Sequence, residues 1–270
     1  MTAINIILTV LVIVQVIHAF PKRYVFRRGS VGVYRGYEVE PHSIPFQALI
    51  ISKDAYGTGL CGGSLISPNY IMTAAHCVYD YENATVYLGV HNRSAFDDNV
   101  QIFESTQLIP HENFGFEGSK IVNDIGLIRL PQPAVLTPAV QLGSIIPRAD
   151  YQANPDQAGI NVTVSGWGKN GYAKGYSEVL LAGEMFISTS EWCEYSNLFK
   201  IGQFVCIPLK NDGKEIESGS GDSGGPVFKS VDGNSVIVAL VSMGGEDFEA
   251  DTNVGYFLDW IERNSDLQRV

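Results

Sequence analysis

The sequence predicts an all-β protein made of two halves, with one helix near the carboxyl end. Most apolar runs are short, contain many β-branched or aromatic residues and are separated by Gly, Pro or Asn, as expected for strands joined by turns. No long run with a helical hydrophobic period interrupts these strand candidates. The chain has 270 residues, of which 45% are hydrophobic and 17% charged, so it can bury a substantial core.

The strand candidates lie on both sides of a proline-richer stretch, 131–155, which we interpret as the connector between the halves. The Gly-rich stretch 57–63 is interpreted as a turn. Apolar residues on one helical face predict a helix over 252–266, with Thr252 as its cap. The predicted strands are 45–51, 64–67, 71–75, 85–90, 101–103 and 125–130 in the first half, and 161–165, 180–187, 204–207, 226–228 and 236–241 in the second.

The amino-terminal residues 1–19 have the features of a secretory signal peptide. Residues 4–16 are apolar except for Thr9 and Gln15, and the small residue Ala19 follows them. A run of this length suits the core of a signal peptide and is short for a membrane span. We therefore expect cleavage after about Ala19 and a secreted, extracellular protein; an uncleaved anchor is the alternative.

Residues 20–32 are predicted to form a propeptide. This stretch contains Gly and several basic residues, which is typical of an exposed leader that a trypsin-like enzyme can cut. The remaining residues, 33–270, are predicted to form the mature domain, with its halves at about 33–145 and 146–251.

The charge and the cysteines limit the possible partners. A net charge of −11 argues against nucleic acid or an anionic membrane surface as a partner. An even number of cysteines behind a predicted secretory signal favours two disulfides, in one of three pairings. The short spacings of zinc sites are missing from the sequence, so no metal is expected. The cysteines are Cys61, Cys77, Cys193 and Cys206.

A Gly-rich loop late in the chain carries the main functional signal. Ser223 lies in the string Gly221-Asp222-Ser223-Gly224-Gly225-Pro226, which has very little side-chain bulk. Such a loop leaves a hydroxyl uncovered and lets backbone N–H groups approach the group that the hydroxyl attacks, as acyl transfer requires. Taken alone, the string is more typical of a surface turn than of a catalytic loop.

Two other strings favour catalysis over a surface turn. His76 lies in Thr73-Ala74-Ala75-His76-Cys77, and Asp124 precedes the apolar run Ile125-Gly126-Leu127-Ile128. Taken alone, either residue is more often structural than catalytic. In the order His76, Asp124, Ser223, the three strings resemble the motifs of the chymotrypsin-like (trypsin-like) serine peptidase family, and the resemblance covers residues 36–261 approximately.

The resemblance implies a fold and a set of roles. It implies two antiparallel Greek-key β-barrels with the active-site cleft between them. Ser223 would be the nucleophile, His76 its general base and Asp124 the acid that orients the imidazole. The backbone N–H groups of Gly221 and Ser223 would bind the oxyanion, and Asp222 would pair with the ammonium of a newly cut amino terminus. The implied disulfides are Cys61 with Cys77 and Cys193 with Cys206.

The sequence departs from the family pattern at two places. Val33-Tyr34-Arg35-Gly36 stands where the family has Ile-Val-Gly-Gly at the cut amino terminus. Gly219 occupies the position of a family cysteine, so a cross-link near the specificity pocket is missing. The resemblance places Glu217 at the base of the specificity pocket, where an acid would favour substrates with Lys or Arg side chains. The substrate-binding residues implied by the resemblance are Glu217, Ser218, Ser242, Met243 and Gly244.

We therefore expect a secreted serine endopeptidase that acts on proteins or peptides through an acyl-enzyme, without metal or organic cofactor. Protein protease inhibitors are expected partners, the protein is expected to be a monomer, and no membrane partner is expected after signal cleavage. The alternative is a catalytically impaired homologue that acts as a binding or regulatory protein, because the amino terminus and the pocket are atypical. Glycosylation acceptor patterns occur at Asn83, Asn92 and Asn161.

Overall fold

A computed structural model describes residues 33–169, 175–194, 198–211, 214–244 and 247–268. The predicted signal peptide and propeptide lie outside the described residues. Antiparallel strands form two large curled sheets, each closing into a barrel half, and a short helix follows the last strand. The predicted all-β fold with two barrels and a terminal helix is confirmed.

The first sheet has the strand order β6-β5-β2-β3-β4-β10-β7. β2 pairs antiparallel with β3 on one side and with β5 on the other. Ile50, Leu65 and Val86, one from each of these strands, are fully buried in the core of this barrel. The strands are β1 (Tyr37–Glu38), β2 (Gln47–Lys53), β3 (Thr58–Ser67), β4 (Tyr70–Thr73), β5 (Asn83–Leu88), β6 (Gln101–Ser105), β7 (Leu108–Pro110), β8 (Gly115–Glu117), β9 (Lys120–Val122) and β10 (Gly126–Arg129), of which β1 joins the second sheet and β8 and β9 form a separate hairpin.

The second sheet has the order β1-β13-β12-β17-β18-β19-β14, and β11 pairs in parallel with β18. Val164, Val227 and Ile237, from β12, β17 and β18, are fully buried within it. The remaining strands are β11 (Ser144–Ile145), β12 (Asn161–Gly166), β13 (Leu181–Phe186), β14 (Phe204–Pro208), β15 (Lys210–Asn211), β16 (Lys214–Glu215), β17 (Pro226–Val231), β18 (Asn234–Gly244) and β19 (Phe248–Asn253), of which β15 and β16 form a separate hairpin.

The turn predicted at 57–63 is wrong, because most of this stretch lies in β3. Its glycines serve close packing instead of chain reversal. A Cβ on Gly62 would lie 2.7 Å from the Cα of Gly225, and a Cβ on Gly63 would lie 2.7 Å from Cδ1 of Ile50. Glycine inside a strand marks such close approaches.

The predicted terminal helix is present but shorter, and its predicted cap is wrong. A 3₁₀ turn at Val254–Phe257 leads into α3 (Leu258–Asn264). Thr252 lies in β19, and its hydroxyl donates to the backbone carbonyl of Asp124 at 2.7 Å. The Thr252 side chain is therefore hydrogen-bonded to the backbone of Asp124 and does not cap the helix.

Short helices occur at two further places. The predicted connector contains α1 (Arg148–Ala153), and α2 (Glu191–Glu194) precedes β14. Among the described helices, none has the length and apolar character needed to span a bilayer.

Candidate active site

His76 and Asp124 are in direct contact. Nδ1 of His76 lies 2.8 Å from Oδ2 of Asp124, and the backbone N–H of His76 donates to Oδ1 at 2.9 Å. The imidazole is 32% exposed, whereas the carboxylate is fully buried. With Nδ1 donating its proton to the carboxylate, Nε2 is the nitrogen that faces a reaction partner.

Local structure fixes both residues. His76 lies in a 3₁₀ turn, Ala75–Cys77, that begins shortly after β4. Asn123 adopts a left-handed conformation, with φ of 55°, and turns the chain immediately before Asp124. Gln203 holds this turn, because Asn123 N–H donates to its Oε1 and its Nε2 donates to Oδ1 of Asn123, both at 2.8 Å.

Asp124 accepts a further hydrogen bond from the second barrel. Oγ of Ser242 donates to Oδ2 of Asp124 at 2.5 Å. Burial alone raises the pKa of Asp124, but the charge and hydrogen bonds of His76 and the bond from Ser242 lower it, and the resulting pKa lies below its ordinary value. The carboxylate therefore stays ionised beside the imidazole.

The same pair sets the protonation of His76. Burial lowers the pKa of His76, whereas the charge of Asp124 and its hydrogen bond raise it, and the net pKa lies above the ordinary value of 6.5. A group that takes and then returns a proton works best when its pKa is close to the operating pH. His76 is thus suited to act as a general base and acid near neutral pH.

The Ser223 loop is held against the segment that carries His76. The backbone carbonyl of Ser223 accepts a hydrogen bond from the N–H of Gly62 at 2.8 Å. The same oxygen lies 3.5 Å from Sγ of Cys77, the residue that follows His76. The Ser223 hydroxyl forms no hydrogen bond with the described part of the chain, so the contact with Nε2 of His76 that proton transfer requires is not made here. Catalytic hydrogen bonds often tighten only when substrate is bound.

Two backbone N–H groups of the Ser223 loop have no acceptor among the described residues. The N–H groups of Asp222 and Gly224 donate to backbone carbonyls at 2.9 and 2.7 Å. Those of Gly221 and Ser223 donate to none within the described ranges. Gly221 has φ of 105°, which a residue with a side chain rarely adopts. The two free donors can stabilise an oxyanion that forms next to the hydroxyl.

Asp222 is buried, and its carboxylate contacts backbone N–H groups. Its carboxylate accepts hydrogen bonds from the N–H of Gly168 at 2.7 Å and of Gly219 at 2.9 Å. Gly166 also lies against it, since a Cβ there would clash with Oδ1. Burial raises the pKa of Asp222 to about 6, although the two hydrogen bonds lower it. No cationic side chain of the described residues pairs with it.

The first described residues lie near the segment that contacts this carboxylate. Val33 is 1% exposed, and the backbone N–H of Tyr34 donates to the carbonyl of Glu217 at 2.7 Å. Glu217 is two residues before Gly219, which donates to Asp222. Arg35 has φ of 58°, a conformation that favours glycine.

The implied substrate-binding residues lie in two neighbouring segments. Glu217 and Ser218 are half-buried in the segment before the Ser223 loop, and Ser242 to Gly244 end strand β18. Ser242 connects this strand to Asp124, a contact that the sequence did not indicate. Met243 packs against an apolar cluster that includes Ile121 and Phe199.

Sequence reasoning missed two acids on the adjacent strand. Glu249 and Asp251 lie in β19, are 1% and 0% exposed, and contact the two segments named above. The signal for them was available, because two acids alternate with apolar residues in the string Phe248-Glu249-Ala250-Asp251. An alternating pattern places both on one face of a strand.

The predicted disulfides are formed, and the glycosylation acceptors stay predictions. Cys61 bonds to Cys77 beside His76, and Cys193 bonds to Cys206. Asn161 is exposed, Asn83 and Asn92 are half-buried, and Oδ1 of Asn92 accepts from the N–H of Ser94 at 2.9 Å.

One group of potential metal ligands includes two cysteines that already form a disulfide. Atoms of Cys61, His76 and Cys77 lie within 4.8 Å of one another. The two sulfurs form a disulfide and therefore offer no thiolate to a metal. Within the described ranges this is the single such group.

Known proteins are similar to this chain over most of its length. The family model described as Trypsin matches residues 33–261. The chain is 34% identical to a chymotrypsin of Phaedon cochleariae, over 88% of this chain and 83% of that protein. It is 34% identical to a brachyurin of Leptuca pugilator, over 86% of this chain and 98% of that protein. It is 33% identical to granzyme B(G,H) of Mus musculus, over 84% of this chain and 89% of that protein.

Proposed function

The chain belongs to the chymotrypsin-like serine peptidase family, and from this premise we propose that it is a secreted serine endopeptidase acting through an acyl-enzyme on Ser223. The contact between His76 and Asp124 carries the proposal, because it couples a partly exposed imidazole to a buried, ionised carboxylate. The two free N–H groups of the Ser223 loop support it. A protein that only binds has no chemical need for this combination.

The proposed reaction begins with proton transfer. Nε2 of His76 takes the hydroxyl proton of Ser223 while Oγ attacks the carbonyl carbon of the peptide bond. The carbonyl oxygen becomes an oxyanion and accepts hydrogen bonds from the N–H groups of Gly221 and Ser223. Asp124 keeps the imidazole in the required tautomer and stabilises its cation.

Collapse of this intermediate releases the first product. The imidazolium of His76 donates its proton to the leaving amine nitrogen, the C–N bond breaks, and an ester to Ser223 remains. Nε2 then takes a proton from water, whose oxygen attacks the ester carbon. The acid product leaves and Ser223 regains its proton, so the enzyme is unchanged.

Maturation is proposed to require a cut immediately before Val33. The buried position of Val33 and the hydrogen bond from Tyr34 to Glu217 support this boundary. A cut there would create an ammonium on Val33, and this ammonium would be a cation for Asp222, which has none among the described residues. The proposed mature protein is extracellular and acts on proteins or peptides as a monomer, and protein protease inhibitors would compete for the same site.

A catalytically impaired homologue is the second candidate, and two observations favour it. Arg35 holds a left-handed conformation where the resembled family has glycine, and Asp222 is buried without a cation among the described residues. If the ammonium never forms, the Ser223 loop has no charge to hold it in the active arrangement. The candidate would then bind peptides without cleaving them.

A labelling experiment separates the two candidates. The secreted full chain, untreated and treated with trypsin, is exposed to a biotinylated fluorophosphonate, and the labelled residue is located by mass spectrometry. We expect stoichiometric labelling of Ser223 in a cut form and none in a Ser223→Ala variant, and amino-terminal sequencing of the labelled form locates the maturation cut. Absence of labelling from every cut form would favour the binding protein.

A further inference from the structure

A cavity lies at one end of the second barrel, away from the Ser223 loop. β12 begins at Asn161 and pairs antiparallel with β13, which ends at Phe186, so the start of one strand lies beside the end of the other. The opposite end of β12, at Gly166, lies against Asp222, about 16 Å from Asn161 along the strand. The cavity has a volume of about 470 Å³, and its wall includes Asn161, Thr163, Glu184, Phe186, Phe228 and Ser230.

The asparagine and the threonine of one glycosylation pattern lie together in the wall of this cavity. Val162 and Val164 are buried in the core, whereas Asn161 is exposed and Thr163 is half-buried. Because side chains alternate along a strand, Asn161 and Thr163 share one face of β12. Both residues line the cavity, so a group attached to the Asn161 side chain begins at the cavity itself.

The cross-strand neighbours of these two residues offer the surfaces that bind a sugar. Phe186 lies directly opposite Asn161 in the β12–β13 ladder. Thr163 lies between Glu184 of β13 and Phe228 of β17. Directly opposite side chains are about 5 Å apart on the same face of a sheet. The two aromatic rings offer apolar surface to the C–H groups of a sugar ring, and the exposed carboxylate of Glu184 accepts hydrogen bonds from sugar hydroxyl groups.

The asparagines of the other two patterns are less accessible. Asn83 is half-buried in β5 and is paired with Lys53 of β2. Asn92 is half-buried, and its Oδ1 accepts a hydrogen bond from the N–H of Ser94 at 2.9 Å. Asn161 is the exposed member of the three. A glycan is bulky and lies at the protein surface, which favours Asn161 as its attachment site.

We propose that Asn161 carries an N-linked glycan and that the first sugar of this glycan occupies the cavity. In the transfer, Nδ2 of Asn161 forms a bond to the anomeric carbon of an oligosaccharide carried by a polyprenyl pyrophosphate. The bond from that carbon to the pyrophosphate oxygen breaks, the pyrophosphate leaves with the electron pair, and the amide nitrogen loses a proton. The attached sugar removes apolar surface of Phe186 and Phe228 from water and thereby stabilises the fold. The inference rests on the proposed secretion, because this modification belongs to secreted proteins.

The first experiment tests whether Asn161 is modified. The full chain is expressed in insect cells with Ser223→Ala, Asn83→Gln and Asn92→Gln, so that Asn161 has the one acceptor pattern left in the sequence. Intact mass is measured on protein from the medium and from the cells. We expect one glycan, and none after the further substitution Asn161→Gln. An unmodified Asn161 would overturn the proposal, whereas a glycan on protein that stays in the cells would refute secretion and keep the modification.

The second experiment tests whether the first sugar occupies the cavity. Mannose trimming is blocked during expression, so that endoglycosidase H leaves one sugar on Asn161, while peptide N-glycosidase F removes all sugars and leaves an aspartate. The intact and one-sugar forms should have the same Tm, and the bare form a Tm about 2–4 °C lower. The unglycosylated Asn161→Asp variant is the control for the new charge and should match the bare form. Equal Tm values for the one-sugar and bare forms would overturn the placement of the sugar.

A pair of phenylalanine variants tests the contact with the cavity wall. Phe186→Ala should abolish the difference in Tm between the one-sugar and bare forms, because the ring opposite Asn161 is lost. Phe116→Ala, at an exposed residue of β8, is the matched control and should keep the difference. A difference that persists in Phe186→Ala would contradict packing of the sugar against this ring.

Discussion

Replacing Asp222 by Asn is expected to change stability in opposite directions before and after the amino terminus is cut. In the described structure, Asp222 is buried and its pKa is about 6, compared with 3.8 for an ordinary aspartate. Between about pH 4 and pH 6, the folded protein keeps a proton that the unfolded chain has lost, so the free energy of unfolding falls as pH rises. A difference of about 2 pKa units corresponds to about 3 kcal/mol above pH 6.

The Asp222→Asn variant avoids this loss, because the amide that replaces the carboxyl group is not charged. Its single amide oxygen serves one of the two N–H donors, Gly168 or Gly219, and the lost hydrogen bond costs about 1 kcal/mol. The uncut variant should therefore be about 2 kcal/mol more stable than the uncut parent at pH 7.5, which is roughly 4–8 °C in Tm for a domain of this size. Near pH 4 the gain should disappear.

In the cut protein, the ammonium of Val33 would pair with Asp222, and the same substitution would leave that charge unpaired. A loss of about 3–5 kcal/mol is then expected. Both forms are made in a Ser223→Ala background, and the cut form is produced by removing a tag that leaves no residue before Val33. Differential scanning calorimetry at pH 4, 6 and 7.5 gives the Tm values. A lower Tm for the uncut variant at pH 7.5, or shifts of the same sign in both forms, would refute the reasoning about Asp222.

Three further predictions concern the catalytic groups and the loop. Ser242→Ala removes the 2.5 Å hydrogen bond to Asp124 and should lower kcat/KM about tenfold. Ser235→Ala, on the same strand, is the control and should leave kcat/KM unchanged. Steady-state kinetics on a Leu substrate measures both variants. On the same substrate, kcat/KM should fall as the pH drops through the pKa of His76, which lies above 6.5. The cause is that the protonated imidazole cannot take the serine proton. A pH–rate profile with its midpoint below 6 would contradict this. Gly224→Ala should lower the free energy of unfolding in urea by more than about 2 kcal/mol, because its Cβ would clash with Oγ1 of Thr73. The control is Gly233→Ala, because Gly233 has a similar φ of 81° and open space around it. Equal losses of stability in the two variants would rule out the clash.

The sequence was sufficient for the strands whose hydrophobic pattern is local. The run 161–165 alternates polar and apolar residues before Gly166, and the run 204–207 is apolar and ends before Pro208; they appear in the structure as β12 and β14. The pairing of these strands is not specified by any local pattern, and neither is the contact of His76 with Asp124, which joins residues 48 positions apart. The family resemblance supplied that information.

Two errors have the same physical origin. The glycines in 57–63 predict a turn because glycine has a flexible backbone, but Gly62 is needed because the Ser223 loop packs against β3. Thr252 is predicted to cap the terminal helix, but its hydroxyl donates a hydrogen bond to the backbone carbonyl of Asp124. In both cases a tertiary contact, absent from the local sequence, decided the use of the residue.

The buried acids around the site differ in the partner that each one has. Asp124 has the imidazole of His76, and its pKa lies below the ordinary value. Among the described residues, Asp222 has only backbone donors and Glu249 has one donor and one oxygen without a partner, and the pKa values of both are raised. A buried carboxylate without a cation is costly, so burial favours the protonated form of both acids. The ammonium that a cut before Val33 would create is the proposed partner of Asp222, so activation would consist of neutralising an acid that is already in place.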